Sequence, residues 1–396
     1  MEVLRGTCDI NHNRHSRIKP KRRSFNCFSW YIIFITVFST ACVFSICKNA
    51  IVNHVSFGLT INKGYEIADD GSFIVVTSSG RKVCAKTYLR PYNLDCSHVW
   101  IQGENKQRIS ALIIYHIDEV LDTEYTYGKP YDSDFFLFSH GNNTDIGHMF
   151  YLCFKLCLML KVNLVSYDYS GYGYSTGKTT ERNLYENIVL VYDYLVEQLK
   201  VESKRIILYG NSIGSATSCY IASHPDLYPI GGLILHSPLA SGLRIFFKSI
   251  SKSHWFDAFN NIEFLKKSSL IPIFIIHGTC DSQIPLSHAI QLACIVKERH
   301  DHLNNIIEPT IEPKSDLEAE ERSIHKNTES VIFSPKSQFM HKIKDYDVSS
   351  YTDKYIRTWW VEGADHNNIE VKYSGAYYEQ LLSFLDLCRH WRTSAL

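Results

Sequence analysis

Arg205-Ile206-Ile207-Leu208-Tyr209-Gly210-Asn211-Ser212-Ile213-Gly214 is the stretch from which the rest of this chain is read. An apolar run suited to a buried strand leads directly into a serine with glycine two places before it and two after. A serine at the apex of a very tight strand-to-helix turn leaves almost no room for neighbouring side chains. Glycines at those two places supply that room. Ile213 to His224 has no proline and carries Ala216, Thr217, Tyr220 and Ile221, which predicts a helix whose N-terminus faces the serine. A helix N-terminus favours developing negative charge. Since Gly-x-Ser-x-Gly also arises by chance in loops, its surroundings must decide whether the serine is a nucleophile.

The surroundings alternate short apolar strands with longer helical segments. Strands are predicted at Phe135 to Ser139, Val162 to Asp168, Arg205 to Tyr209, Gly232 to His236, Ile271 to His277 and Tyr355 to Val361. Such alternation predicts βαβ units, hence an α/β fold with a mostly parallel central sheet flanked by helices. Leu184, Ile188, Val191, Leu195 and Leu199 form one stripe of a helix near 181 to 200, and Leu381, Phe384, Cys388 and Trp391 repeat the pattern near the C-terminus. Upstream, Phe73 to Thr77 and Lys82 to Tyr88 predict an antiparallel hairpin, Ser110 to Ile117 another strand, and residues 119 to 133 a surface loop. Residues 297 to 350 interrupt the alternation with a polar tract containing Glu318-Ala319-Glu320-Glu321-Arg322, expected as a disordered surface insertion. His300 and His302 fall within it and are expected as solvated loop residues rather than metal ligands.

A serine hydroxyl is a poor nucleophile until a base removes its proton, and a third group must hold that base in the right tautomer. On α/β-hydrolase sheets the chain order is serine, acid, histidine. Asp281, in His277-Gly278-Thr279-Cys280-Asp281, and His366, in Glu362-Gly363-Ala364-Asp365-His366-Asn367, each follow a predicted strand and complete that order with Ser212. Catalytic groups collect at such strand ends in open α/β sheets. Asp365 is a rival acid because it adjoins the histidine, but sequence neighbours seldom face each other, and Asp281 is preferred. The oxyanion needs two preorganised donors. The Ile213 N–H is one candidate, and the Asn142 N–H, in Ser139-His140-Gly141-Asn142-Asn143, is the other. Tyr167-Asp168-Tyr169-Ser170-Gly171-Tyr172-Gly173 is read as a tight structural turn without a catalytic role.

At 396 residues and 45% apolar content the chain can bury a sizeable core. Lys+Arg and Asp+Glu balance at 41 each, so nothing in the net charge points to nucleic acid. The charge is unevenly placed. Arg5, Arg14, Arg17, Lys19, Lys21, Arg22 and Arg23 lie in a basic segment, 1 to 26, before an uncharged stretch from Cys27 to Cys47. That length suits the roughly 20 residues of a bilayer-spanning helix. The long basic lead disfavours a cleaved signal peptide, and the lack of a polar face disfavours a core helix. A single-pass membrane anchor is expected, followed by a catalytic domain over 60 to 396. The 12 cysteines lack the spacing of a disulfide framework or zinc ribbon and read mostly as small buried apolar residues. Cys27, Cys42 and Cys47 are either acylation sites or ordinary anchor residues.

Several segments together resemble the ABHD17 family of α/β-hydrolases, and are also similar to the related Bem46/ABHD13 group. They are Phe138-Ser139-His140-Gly141-Asn142, Ser166 to Gly173, Leu208 to Gly214, Leu235-His236-Ser237-Pro238-Leu239, Trp255-Phe256-Asp257-Ala258-Phe259, Ile275 to Thr279 and Trp360 to Ala364. The resemblance covers most of 134 to 296 and 355 to 390. It implies an α/β-hydrolase fold with a short lid, the nucleophile, acid and base roles for Ser212, Asp281 and His366, and removal of palmitate from S-acylated proteins. The Bem46/ABHD13 likeness implies instead an esterase acting on acyl lipids. No metal or organic cofactor is implied. The chain departs from the family at Asn211, where glutamine is usual, at Asp365, where glycine is usual, in the 297 to 350 insertion, and in having an apparent spanning helix instead of a cysteine-rich amino terminus. Sidedness stays open. Seven basic residues before the apolar stretch against Lys48 and Lys63 in the 20 after it favour a lumenal or external domain. The glycosylation sequon Asn142-Asn143-Thr144, inside the proposed oxyanion loop, and the cytosolic display of palmitoylated proteins favour the cytosol.

Overall fold

Residues 62–103, 106–117, 133–247, 253–254, 256–307 and 354–394 are described by a computed structural model. The basic segment, the apolar stretch 27 to 47, Trp255, the predicted loop at 119 to 132 and most of the polar insertion lie outside those residues. Among the described residues no helix is long and apolar enough to cross a membrane.

Strands β1 (Tyr65–Ile67), β2 (Phe73–Val76) and β3 (Lys82–Cys84) form a small antiparallel sheet. The larger sheet comprises β4 (Leu94–Gln102), β5 (Arg108–His116), β6 (Phe135–Ser139), β7 (Asn163–Tyr167), β8 (Ile206–Asn211), β9 (Gly232–His236), β10 (Ile273–Gly278) and β11 (Ile356–Val361). Its order is β11-β10-β9-β8-β6-β7-β5-β4. The pairs β4·β5 and β5·β7 are antiparallel; the others are parallel.

The helices are α1 (Ala85–Leu89), α2 (Phe150–Leu160), α3 (Glu181–Asp193), α4 (Gly214–Ala222), α5 (Gly242–Phe246), α6 (Asn261–Leu265), α7 (Ser287–Ile307), α8 (Ile369–Lys372) and α9 (Ser374–Ser394). Buried strands in a parallel sheet are apolar on both faces because helices cover both. Phe135 and Leu137 of β6, Leu208 of β8 and Ile273 and Ile275 of β10 join a core with Leu184 and Ile188 of α3, Ala216 of α4 and Leu292 of α7. The alternate residues Phe136, Phe138, Tyr209, Phe274 and Ile276 join another with Cys153 and Leu156 of α2 and Leu381 and Phe384 of α9. Each leucine, isoleucine or phenylalanine among them stabilises the fold by roughly 1.5–3 kcal/mol when fully buried.

Three sequence expectations are corrected and one strand is added. Ala85 to Tyr88 is helical, so the hairpin's second strand ends at Cys84. Leu94–Gln102 is a full strand at the sheet edge that had no predicted counterpart; its mixed polar faces hide the alternation. The polar insertion does not begin at 297, because α7 continues to Ile307. His300 is buried at 3% exposure, extending the stripe of Ala289, Leu292 and Val296, and only His302 is exposed. A histidine completing an apolar helical stripe reads as polar in sequence, which concealed the helix. Among the described residues the cysteines are free thiols, with Cys96, Cys153, Cys157, Cys219 and Cys388 buried.

Candidate active site

The parallel strands bring their C-terminal ends to one edge of the sheet, and each predicted site residue lies just beyond one of them. Ser212 joins β8 to α4, Asn142 follows β6, Asp281 follows β10, and His366 follows β11.

Ser212 has φ 53°, a left-handed backbone that a side chain adopts only at a cost. Surrounding bonds impose it: Ser212 N–H donates to the His236 carbonyl at 2.9 Å, and the Ser212 carbonyl accepts from Ser215 N–H at 3.0 Å and Ser215 Oγ–H at 2.6 Å. The flanking glycines are demanded by contact. A Cβ on Gly210 would fall 2.6 Å from the Gly214 carbonyl oxygen, and one on Gly214 only 2.1 Å from that of Ser139. Ser139 ends the strand that feeds the His140–Asn142 loop, so the same glycine brings loop and helix together.

His366 Nε2 stands 3.0 Å from Ser212 Oγ, and its Nδ1 2.6 Å from Asp281 Oδ2. An imidazole donating its Nδ1–H to a carboxylate keeps the Nε2 lone pair for the serine proton. Asp281 Oδ1 accepts from the N–H groups of Gln283 and Ile284 at 2.9 and 2.8 Å, which turns Oδ2 toward the ring. His277 Nε2 donates to the Ile284 carbonyl at 2.8 Å and lies 3.3 Å from Asp281 Oδ2. Burial works to raise the Asp281 pKa, but donation from His277 and His366 and the Ile284 amide overcome it and hold the carboxyl well below the usual carboxylate range. Asp365 does not face the ring. Its carboxylate accepts from Ser282 N–H at 3.0 Å and from the backbone N–H of His366 at 2.8 Å.

Ile213 begins the helical backbone at φ −60°, ψ −29°, so its N–H is among the amides a helix leaves without an internal partner. Across from it, a Cβ on Gly141 would lie 3.6 Å from Ser212 Cβ, which sets the His140–Asn143 loop against the serine. The side chain of Asn142 is fixed within that loop: its Oδ1 accepts from Asn143 N–H at 2.9 Å and Tyr172 O–H at 2.6 Å. Tyr169 O–H donates to the His140 carbonyl at 2.7 Å, and Asp168 accepts from Ile146 N–H at 2.9 Å and Tyr65 O–H at 2.6 Å.

The Tyr167–Gly173 segment is thus the turn the sequence predicted, with Gly171 and Gly173 at φ 85° and 48°. What the sequence reading missed is that its tyrosines brace the loop beside the serine. A buried tyrosine hydroxyl requires a partner; which partner depends on β6 and β7 being neighbours.

The prolyl oligopeptidase family profile matches residues 172–312, a span containing Ser212 and Asp281. Over 251 residues the chain is 34% identical to alpha/beta hydrolase domain-containing protein aho-3 of Caenorhabditis elegans, covering 63% of this chain and 57% of that protein. Over 156 residues it is 43% identical to alpha/beta hydrolase domain-containing protein 17B of Homo sapiens, covering 39% of this chain and 53% of the relative. The chain therefore spans a little over half the length of these curated relatives. Among solved structures, the Pyrococcus furiosus esterase Pf2001 superposes with a TM-score of 0.47 at 16% identity, over 75% of this chain and 94% of that one.

Proposed function

Given that this chain is an α/β-hydrolase of the ABHD17 type, we propose that it is a serine hydrolase that cleaves long-chain acyl thioesters, with S-acylated protein as substrate. The observation that carries the proposal is the hydrogen-bonded line from Ser212 Oγ through the His366 ring to Asp281, at 3.0 and 2.6 Å.

In the proposed reaction Ser212 Oγ attacks the acyl carbonyl while His366 Nε2 takes the hydroxyl proton. Asp281, ionised, stabilises the imidazolium without accepting its proton. The Ile213 and Asn142 N–H groups receive the oxyanion; each such donor contributes roughly 3–4 kcal/mol of transition-state stabilisation. As the tetrahedral adduct collapses, the thiolate leaves, His366 protonates it, and the acyl group remains esterified to Ser212. Water then enters, gives its proton to His366 and attacks the ester. The second adduct expels Ser212 Oγ, which regains the proton, and the free acid departs.

The likeness to the ABHD17 proteins supports the thioester substrate, and the basic-then-apolar amino terminus supports action at a membrane. The excess of basic residues ahead of the apolar stretch favours a second reading, a lipid esterase such as a lysophospholipase on a lumenal or external face. Labelling the full chain with a fluorophosphonate tests the chemistry: the parent reacts and Ser212→Ala does not. An unlabelled, folded parent would remove the enzyme reading. Hydrolysis of a palmitoylated peptide against a lysophospholipid then separates the substrates, with preference for the peptide expected. Protease protection of a carboxy-terminal tag reads the face.

A further inference from the structure

Asp365 makes contacts that the serine chemistry does not use. The loops bearing Asp281 and His366 are already joined by backbone bonds: Thr279 N–H donates to the Val361 carbonyl at 3.0 Å and Cys280 N–H to the Ala364 carbonyl at 2.9 Å. Gly363 N–H donates to Thr279 Oγ1 at 2.9 Å. All three bonds end short of the two functional side chains.

Besides the His366 Nδ1–Asp281 bond itself, the Asp365 side chain continues the connection. Its Oδ1 accepts Ser282 N–H at 3.0 Å and Ser282 Oγ–H at 3.2 Å, and the same oxygen accepts His366 N–H at 2.8 Å. Asp365 N–H in turn donates to Asn368 Oδ1 at 2.9 Å, so the clasp is held from its own side. Asp281 is therefore bracketed, with Cys280 bonded to Ala364 on one side and Ser282 bonded to Asp365 on the other. His366 directly follows Asp365, the residue bonded to Ser282.

We propose that Asp365 is a positioning residue whose carboxylate clasps the Asp281 loop to the His366 loop and so fixes the separation of catalytic acid and base. The proposal rests on reading Ser212, His366 and Asp281 as the catalytic set. A charged acceptor shared by two amides resists displacement better than a neutral one, and small misplacements of a catalytic group are costly.

The test uses the full chain with p-nitrophenyl octanoate as substrate, together with the proton NMR signal of the hydrogen shared by His366 Nδ1 and Asp281. Asp365→Ala should lower kcat about tenfold with KM nearly unchanged. It should also shift or broaden the shared-proton signal. Asp365→Asn keeps an oxygen for the two amides and should restore most of the rate and the signal. If Asp365→Ala does not fold, Asp365→Ser, whose hydroxyl is too short to reach Ser282, carries the same expectation. Parental kcat and an unmoved signal in the Ala or Ser variant overturn the proposal, as does a fall in melting temperature alone. If the parent neither turns over the ester nor reacts with a fluorophosphonate, the serine-hydrolase reading fails, while the proton signal still decides the role of Asp365.

Discussion

Ser212, the proposed nucleophile, carries the conflict between stability and chemistry in a single dihedral angle. At φ 53° a non-glycine residue is held in the left-handed region, at a cost of roughly 1–2 kcal/mol. Ser212→Ala and Ser212→Gly both remove the hydroxyl and its bond to His366, so their difference isolates the backbone. Both should lose at least about ten-thousandfold in kcat. Glycine normally destabilises a folded chain relative to alanine, yet here Ser212→Gly should be the more stable of the two by about 1 kcal/mol in urea unfolding. An alanine variant as stable as the glycine one would mean that the serine backbone is relaxed. The proposed acid shows a different residue-scale lesson. Asp365 adjoins the histidine in sequence, but its carboxylate binds backbone amides, whereas Asp281, 85 positions away, meets the ring.

Between elements, a close backbone contact lies where α4 begins. Gly214 leaves no space for a Cβ against the Ser139 carbonyl, which a methyl group would approach to 2.1 Å. Because both partners are backbone, neither can rotate aside. Gly214→Ala should destabilise the protein by roughly 1–3 kcal/mol and lower kcat as well, since the helix and the loop after β6 can separate only by moving Ile213 and Asn142 apart. Thermal unfolding and steady-state kinetics on the same preparation check it; a variant matching the parent in both would show that helix and loop tolerate displacement. The second glycine of the elbow is thus a spacer between the two elements offering the proposed oxyanion donors, a reason beyond its place in the turn.

Across the molecule, buried histidines govern the response to acid. Burial pulls His98, His236 and His288 down to about 4, from about 6.5 in an unfolded chain. Between those values the unfolded chain binds protons that the folded one refuses, so stability falls as pH drops through that window. His288 shows why the folded state resists: its Nδ1 accepts the Ala240 N–H at 3.0 Å and cannot do so when protonated. Asp281 acts lower. Its depressed carboxyl contributes stability above the ordinary carboxylate range, and that contribution is lost only as pH falls through its lower folded value. Chemical denaturation should therefore give a clearly smaller unfolding free energy at about pH 4.5 than at about pH 7, with a shallower dependence in His288→Gln. Equal stability at both would contradict the account. What the sequence alone determined was whatever repeats locally: the alternation of β6 to β11 with helices, the glycines about Ser212, and the order of serine, acid and histidine. These are read without a partner because strand and helix periodicity and turn sterics act over a few residues. The tertiary structure decided the matters that need a neighbour: the β4 edge strand, the burial of His300, the amides that the Asp365 carboxylate binds, and the tyrosines that brace the Asn142 loop. Each depends on which side chain lies across the sheet, and strand order, which local periodicity does not encode, fixes that.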